Sequence, residues 1–184
     1  MRMGAACSRP LMTEPTSIAI RALGASDAEA FRALRLTALA QAPEAFGASL
    51  ADESTRPLER FAERLAPPAP SLVFGAFSGT DLVGVAGFLV YEGEKHRHIG
   101  LLWGVYLQPE QRGQGTAARL IGTLIAHARQ HVVILHADVG ADNHPARRLY
   151  ESLGFQLYGV HPKALFVNGR YIDEALLALD FTER

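Results

Sequence analysis

Residues 112–117 read Arg-Gly-Gln-Gly-Thr-Ala, and this glycine-rich stretch lies between two segments of different character. Before it, an apolar run extends from about Arg97 to Leu107 and stops ahead of Pro109. After it, apolar residues recur with helical spacing as far as Ala128. The pattern predicts a strand, a loop and a helix in that order.

The two glycines of this loop suit the binding of an anion. Glycine lets backbone N–H groups approach a ligand without a side chain in the way. The start of the following helix adds free N–H groups and a partial positive charge of about half an elementary charge. We therefore expect the pyrophosphate of a nucleotide-containing ligand at Gly113 and Gly115.

Two classes of ligand carry such a pyrophosphate. Residues 113–118 also satisfy the dinucleotide fingerprint G-x-G-x-x-G/A, with Asp138 as a candidate ribose ligand. A dinucleotide loop directly follows its strand, however, whereas residues 108–112 intervene here. Four predicted strands precede the loop, and too few residues follow it for a doubly wound domain. The sequence contains no G-x-x-x-x-G-K-[ST] run, which excludes a P-loop nucleotidase.

A second stretch distinguishes between the two ligand classes. Residues 143–155 read Asn-His-Pro-Ala-Arg-Arg-Leu-Tyr-Glu-Ser-Leu-Gly-Phe and predict a helix that stops at Gly154. Together with the loop, this stretch resembles the GNAT superfamily of N-acetyltransferases. The acetyl-CoA loop of that family, Q/R-x-x-G-x-G/A, matches residues 112–117, and its helix, N-x-x-A-x-x-L-Y-x-x-x-G-F, matches residues 143–155. The resemblance extends from about Ile18 to Phe181.

The remaining periodicities agree with that resemblance. Strands are predicted at 17–23, 72–77, 82–91, 97–107, 132–135 (with both faces covered), 155–160 and 171–181. Helices are predicted from a capping box of Ser26 and Glu29 to Pro43, and at 57–65, 117–128 and 143–154. The implied fold is α/β, a single GNAT-like domain with a mixed, mostly antiparallel sheet of six to seven strands and about four flanking helices. Residues 1–16 are expected to be a disordered leader, and residues 17–184 the N-acetyltransferase domain.

Tyr150 is the residue to which the resemblance gives a chemical role. It is expected to be the general acid that protonates the departing CoA thiolate, and a thiolate does benefit from a nearby O–H group. The alternative is a half-buried aromatic side chain whose hydroxyl donates to a backbone carbonyl. Asn143 lies seven residues earlier on the same helix face. It is expected to contact the pantetheine, to cap the helix, or both.

The resemblance also implies which residues hold acetyl-CoA, the expected co-substrate. The strand before the loop is expected to splay from the next strand and to present backbone N–H groups to the thioester carbonyl and the pantetheine. The complete expected set is Val105, Tyr106, Leu107, Arg112, Gly113, Gln114, Gly115, Thr116, Ala117 and Asn143.

The sequence says less about the acceptor and the general base. Many relatives place a glutamate on the strand before the loop, but residues 99–107 contain no acid, so the base is unassigned. The predicted acceptor-site residues are Glu53, Glu92, His98, Tyr171 and Asp173, and Glu94 and Glu174 are further candidates for the base. The acceptor is expected to be an amine on a small molecule or a peptide. Peptide N-termini, protein lysines, polyamines and aminoglycosides all stay open.

The composition of the chain limits the kinds of partner that it is expected to bind. With 184 residues and a formal net charge of −1, the chain lacks the basic surface that a nucleic-acid backbone requires. Cys7 is the one cysteine, which excludes an intrachain disulfide and favours a reducing, cytoplasmic compartment. No apolar run approaches the length of a membrane span. His127 and His131 share a helix face but lack the glutamate of H-E-x-x-H, so no metal is expected.

The predicted function is transfer of an acetyl group from acetyl-CoA to a primary amine, by direct attack on the thioester in a ternary complex. The alternatives are a non-catalytic CoA-binding or sensing module of the same fold and, less favoured, a dinucleotide-binding oxidoreductase. An edge strand at the C-terminal end of the sheet would suit pairing in a homodimer.

Overall fold

The computed structural model describes residues 17–182, in which seven strands form one sheet and five α-helices cover it. The strands are β1 (Ile18–Ala22), β2 (Leu72–Ser78), β3 (Asp81–Val90), β4 (Ile99–Leu107), β5 (Ile134–Gly140), β6 (Gln156–Val167) and β7 (Arg170–Asp180). The helices are α1 (Ala28–Gln41), α2 (Leu50–Ser54), α3 (Leu58–Arg64), α4 (Thr116–Ala128) and α5 (His144–Ser152). The predicted mixed α/β architecture is confirmed. The leader predicted for residues 1–16 lies outside the described residues.

The order of the strands decides between the two ligand classes at the level of the fold. The sheet order is β1-β2-β3-β4-β5-β7-β6, and every neighbouring pair is antiparallel except β4 with β5. A dinucleotide-binding domain places its glycine loop in a mostly parallel, doubly wound sheet. The sheet of residues 17–182 therefore does not have the dinucleotide-binding architecture.

Two apolar clusters lie on the two faces of the sheet. Helices α1 and α3 pack on one face, where the rings of Phe31 and Phe61 meet edge to face at 6.3 Å. Helix α4 packs on the other face, where Leu120, Ile121 and Leu124 are at most 1% exposed. Burial of each such side chain contributes about 1.5–3 kcal/mol relative to exposure. These contacts hold the start of α4, and with it the glycine loop, at the C-terminal end of β4.

The N-terminus of α1 is stabilised by Asp27. Its carboxylate accepts a hydrogen bond from the Gly24 N–H (2.9 Å) and two from the Arg21 guanidinium (2.8 and 2.7 Å). The hydrogen bonds from Arg21 lower the pKa of Asp27 to about 2. The predicted capping box of Ser26 and Glu29 is wrong, because a 3-10 turn over residues 25–27 precedes α1. Asp27 occupies the N-cap position of α1 without a side-chain hydrogen bond to that helix, and its carboxylate instead caps the 3-10 turn at Gly24.

Helix α2 was not predicted, because its five residues are too few to show a helical period. The Ser49 hydroxyl oxygen accepts a hydrogen bond from the Asp52 N–H (3.0 Å) and caps this helix. The structure therefore has one α-helix more than the four expected, and it lies in the connection between α1 and α3.

Two strands differ in length from their predictions. β5 begins at Ile134, so the predicted start at Val132 is wrong. Val133 is 44% exposed, so the prediction that both faces are covered there is wrong as well. β6 was expected to stop at Val160 but extends past Pro162, where its register with β7 shifts. Proline is tolerated there because β6 is the edge strand of the sheet and the register is irregular.

Candidate functional site

Strands β4 and β5 lie side by side over only part of their length. They pair through Ile99–Leu102 and Ile134–Ala137, and beyond that point the strand partner of β5 is β7 alone. The splay that was expected for the strand before the glycine loop is therefore present. It opens a gap in the sheet beside residues 103–107.

A β-bulge in β4 accompanies the splay. Trp103 lies opposite Gly87 and Tyr106 lies opposite Val85, so β4 has one residue more than β3 over this interval. Gly104, within the bulge, has a φ of 64°, in the left-handed region that glycine adopts most easily. Bulges bend a strand and increase its twist. The bulge thus helps to turn the last part of β4 away from β5.

The direction of the backbone groups in β4 follows from alternation along the strand. The Gln108 N–H donates to the Val83 carbonyl (2.9 Å), so the backbone N–H and C=O groups of Gln108 face β3. Successive residues of a paired antiparallel strand face opposite sides. The Tyr106 groups accordingly face β3, whereas those of Val105 and Leu107 face the gap. The gap therefore contains N–H donors that lack a strand partner within residues 17–182.

The glycine loop adopts the conformation that its sequence predicts. Gly113 and Gly115 have φ values of 74° and 77°, which residues with a side chain rarely adopt. Gly115 is the N-cap of α4 and has no side chain to bond the first N–H groups of the helix. Arg112 Nε donates to the Leu107 carbonyl (3.0 Å) and fixes the loop against β4. The helix N-terminus and the sheet gap thus lie next to each other.

A cavity of about 530 Å³ connects the gap with the loop, and we call it the loop cavity. Eight of the ten predicted cofactor-binding residues line it: Val105, Tyr106, Leu107, Arg112, Gly113, Gly115, Ala117 and Asn143. Sequence reasoning missed the other lining residues, which are Ala42, Ala45, Phe46, Ala118, Pro145, Ala146 and Leu149. Ala42, Ala45 and Phe46 could not be predicted, because no pattern in the sequence indicates that the segment after α1 lies close to β4.

The other two predicted cofactor residues do not line this cavity. Gln114 is exposed, and its side-chain Nε2 donates to the Glu110 carbonyl (3.0 Å). Thr116 is the first residue of α4, and its side chain is turned into the protein with 3% exposed. For Thr116 the backbone N–H group, and not the buried side chain, is therefore available to a ligand in the loop.

Tyr150 is almost completely buried, at 6% exposure, with its ring 5.6 Å from that of Phe155. Burial raises the pKa of Tyr150 to about 12. Within residues 17–182 its hydroxyl has no hydrogen-bond partner, so the alternative of a bond to a backbone carbonyl is not observed. Tyr150 itself is not a lining residue of the loop cavity, but its helix neighbours Ala146 and Leu149 are.

Asn143 has the capping role that was one of its two expected functions. Its side-chain Oδ1 accepts a hydrogen bond from the Ala146 N–H (3.2 Å) at the start of α5. Because Asn143 also lines the loop cavity, the same side chain marks the boundary between the helix and the ligand space.

The predicted acceptor residues do not come together. Glu92 and His98 are exposed at the end of β4 opposite the glycine loop. Tyr171 is 62% exposed and lies against Phe166, with ring centroids 5.0 Å apart. The carboxylate of Asp173 accepts a hydrogen bond from the Lys163 backbone N–H (2.7 Å). Of the five residues, only Glu53 lines a large cavity.

That second cavity has a volume of about 610 Å³ and lies between α1, α2 and β4; we call it the arginine cavity. Its charged lining consists of Arg35, Arg56, Arg64, Glu53 and Asp52, and its apolar lining includes Phe88, Leu89 and Trp103. It adjoins the loop cavity, since Trp103 and Gly47 line the arginine cavity and the nearby Val105 and Phe46 line the loop cavity. Sequence reasoning missed Arg35, although a charged residue within the apolar stripe of α1 was a signal for it.

Glu174 on β7 lies among polar residues of β5 and β6. Burial, followed by the nearby charge of Asp138, raises the pKa of Glu174, which pairs in register with Gly140 and His161. A raised pKa suits a carboxylate for accepting a proton near neutral pH. Glu174 lines neither of the two cavities, however, so the general base is still unassigned.

Residues 17–182 contain no group of three or more His, Cys, Asp or Glu side chains placed to hold a metal ion. None of the helices in that range is both long and apolar enough to cross a membrane.

Comparison with known proteins places the chain in a family. The model of the Acetyltransferase (GNAT) family matches residues 34–155, a range that includes the glycine loop and α5. The chain therefore belongs to the GNAT acetyltransferase family and is an acyltransferase.

Two characterised relatives share part of the sequence. The L-amino acid N-acyltransferase MnaT of Escherichia coli strain K12 is 31% identical over 83 residues, which are 44% of this chain and 47% of MnaT. The N-alpha-acetyltransferase RimI of Mycobacterium tuberculosis strain H37Rv is 37% identical over 119 residues, which are 61% of this chain and 69% of RimI. The match to MnaT thus spans less than half of that protein.

A solved structure shows the same fold over nearly the whole chain. The yncA protein of Salmonella typhimurium, solved with its cofactor acetyl-CoA, aligns with a TM-score of 0.76 and 23% identity. The alignment covers 91% of this chain and 95% of that one. At this level of identity the likeness establishes the fold, and the predicted GNAT-like fold is confirmed.

Proposed function

We propose that this chain transfers an acetyl group from acetyl-CoA to a primary amine, by direct attack of the amine on the thioester in a ternary complex. The observation that carries the proposal is the gap between β4 and β5, which adjoins a glycine loop at a helix N-terminus. Membership of the GNAT family supports the same class of reaction.

Each part of the loop cavity suits one part of acetyl-CoA. The N–H groups of residues 113–116, the start of α4 and the charge of Arg112 would bind the pyrophosphate. The pantetheine amides would pair with the free edge of β4 as an added strand does. Asn143, on the opposite wall, would contact the same arm.

The transfer would use the N–H groups of β4 and the hydroxyl of Tyr150. As the amine nitrogen bonds to the carbonyl carbon, the oxygen becomes negative and accepts hydrogen bonds from Val105 or Leu107 N–H. The C–S bond then breaks and Tyr150 gives its proton to the sulfur. The amine loses one proton to solvent and Tyr150 regains one from solvent, so protons and charges balance.

Two properties of Tyr150 support its role as the acid. With a pKa of about 12 it is protonated at neutral pH and has a proton to donate. A buried tyrosine hydroxyl usually has a hydrogen-bond partner. The absence of one within residues 17–182 leaves this hydroxyl without a protein partner that would compete with a ligand sulfur, and its helix neighbours Ala146 and Leu149 line the loop cavity.

Thiol release from acetyl-CoA, measured with free amino acids, short peptides, a polyamine and an aminoglycoside, tests the proposal. We expect release that requires one class of amine, together with an N-acetylated product identified by mass spectrometry. Binding of acetyl-CoA without any amine-dependent release would favour the CoA-binding module instead. Tighter binding of NADH than of acetyl-CoA in calorimetry would contradict both interpretations.

We also propose that two copies of the chain associate through β6. This edge strand has 12 residues, and Leu157, Tyr158 and Val160 are 48%, 55% and 53% exposed. Pairing with a second β6 would cover these side chains and satisfy the free backbone groups. Light scattering should give the mass of two chains for the wild type and of one chain for Val160→Lys. A wild-type mass of one chain would contradict the proposal.

A further inference from the structure

The arginine cavity contains more positive than negative charge. Three arginines, Arg35, Arg56 and Arg64, line it together with two acids, Glu53 and Asp52. Glu53 is 1% exposed and accepts two hydrogen bonds of 3.0 Å from Arg64. Asp52 is exposed to solvent, and Arg56 has a side chain that is 47% exposed. Arg35 is the buried arginine of the three, and it shares the buried carboxylate of Glu53 with Arg64 and Arg56.

The Arg35 guanidinium lacks the hydrogen bonds that a buried cation requires. Its side chain is 8% exposed, and its Nε lies 4.0 Å from the nearest Glu53 oxygen, too far for a hydrogen bond. Within residues 17–182, neither Nε nor Nη1 has a hydrogen-bond partner. The ring of Phe46 lies 4.7 Å below the guanidinium and supports it without satisfying a donor. Within the described part of the chain, Arg35 thus forms a long ion pair with Glu53 and keeps two unpaired buried donors, which are costly and which an anionic ligand would satisfy.

Arg35 also lies close to the place where the thioester would bind. Its Nη1 is 3.9 Å from the position that a Cβ on Gly104 would occupy. Gly104 stands between Trp103, which lines the arginine cavity, and Val105, which lines the loop cavity. Neighbouring Cα atoms are about 3.8 Å apart. An anionic group on Arg35 would thus lie about one residue away from the N–H groups assigned to the thioester.

We propose that the arginine cavity selects an acceptor whose amine is close to a carboxylate, as in a free α-amino acid, and that Arg35 binds the carboxylate. The inference rests on the proposed acetyl transfer and specifies its acceptor class. A guanidinium can bind both oxygens of a carboxylate with two parallel hydrogen bonds. Phe88, Leu89 and Trp103 form an apolar wall, so the amino acid is expected to have an apolar side chain.

The test compares matched acceptors with the unaltered protein. L-leucine, L-methionine and L-phenylalanine are each assayed as the free acid, as the amide and as the amine that lacks the carboxylate. The carboxylate raises the pKa of its neighbouring amine, so at neutral pH a larger fraction of the amide carries an unprotonated amine. The amide would therefore react faster than the free acid if the protein did not recognise the carboxylate. We expect kcat/KM for at least one free acid to exceed that of its amide by about tenfold or more.

Substitutions of Arg35 then assign the preference to this side chain. Arg35→Gln should bring the ratio of kcat/KM for the free acid to kcat/KM for its amide close to one, mainly by raising KM for the acid. Arg35→Lys should restore part of the preference for the acid. Arg60→Gln is the matched control, since Arg60 is 66% exposed, pairs with Glu63 and does not line the arginine cavity. The control should leave the ratio unchanged.

The outcomes separate this inference from the function on which it rests. If amides or plain amines release thiol as fast as the free acids, or if Arg35→Gln folds and keeps the full preference, the inference is wrong and acetyl transfer stands. If Arg35→Gln fails to fold, the comparison of acid with amide in the wild type still decides. If no amine of any class releases thiol, the proposed function itself fails.

Discussion

Tyr150 and Arg35 both combine burial with polar atoms that have no partner within residues 17–182. Each lies on a helix beside the gap in the sheet, Tyr150 on α5 and Arg35 on α1. In a folded protein most buried polar groups are paired. We therefore interpret both as groups whose partners are supplied by substrates, the thiolate for Tyr150 and the acceptor carboxylate for Arg35.

Replacement of Tyr150 by phenylalanine tests the first of these roles. Tyr150→Phe keeps the packing against Phe155 but removes the proton donor, so kcat should fall about 100-fold or more while KM for acetyl-CoA changes little. Steady-state kinetics of thiol release measure both constants. Tyr158→Phe, which removes the hydroxyl of a 55% exposed tyrosine, is the control. An unchanged kcat in Tyr150→Phe would remove the acid role.

The pH dependence gives a second test of the same residue. Burial raises the pKa of Tyr150 to about 12, so its proton is lost only as the pH rises towards that value. The kcat profile should consequently show no alkaline fall due to this group below about pH 10. A fall near pH 8 that disappears in Tyr150→Phe would show that the hydroxyl titrates far lower than its burial implies.

At the scale of elements, the glycine loop and its helix form the anion site. Gly115→Ala should weaken acetyl-CoA binding about tenfold, because the φ of 77° at the N-cap of α4 would be strained and the N–H groups displaced. Gly79→Ala in the turn between β2 and β3 is the matched control, with a φ of 62° and open space around it. Both variants should lose about 1–2 kcal/mol of stability. Calorimetry with acetyl-CoA should show weaker binding only in Gly115→Ala.

The N-terminus of α1 gives a prediction about stability. Asp27→Ala should lower the free energy of unfolding by about 1 kcal/mol, whereas Ser26→Ala, at the wrongly predicted cap, should have almost no effect. Urea unfolding measures both. The Asp27 pKa is lowered to about 2, so its contribution is complete above about pH 4 and is lost as the pH falls through 2. Equal losses in the two variants would contradict this assignment.

The elements that could be predicted are those whose signal lies within one stretch of sequence. The loop at residues 112–117 and the helix at residues 143–155 each carry their own pattern, and both formed as expected. The start of α1 was mispredicted because a 3-10 turn precedes the helix, and the Asp27 carboxylate bonds Gly24 and Arg21 instead of the first N–H groups of α1. Helix α2 has a local cap at Ser49 but is too short to show a helical period, and contacts such as the ion pair between Glu53 and Arg64 stabilise it.

At the scale of the whole molecule, eight of the ten predicted cofactor residues line one cavity, whereas only Glu53 of the five predicted acceptor residues lines the arginine cavity. The predicted cofactor residues belong to the end of β4, the glycine loop and the first residues of α4 and α5, and the loop and α5 each have recognisable spacing. The arginine cavity brings together α1, α2, α3 and β4, which are far apart in the chain. Glu53 was the predicted acceptor residue in this region, whereas the structure places three arginines around this buried glutamate.

The central claim is that an amine attacks acetyl-CoA directly when both are bound to this one domain. Initial rates of thiol release, measured while acetyl-CoA and an accepted amine are both varied, test it most directly. We predict release that depends on the amine, with double-reciprocal lines that intersect because the two substrates form a ternary complex. Parallel lines would indicate an acetylated protein intermediate, and release that is independent of every amine would contradict the transferase function altogether.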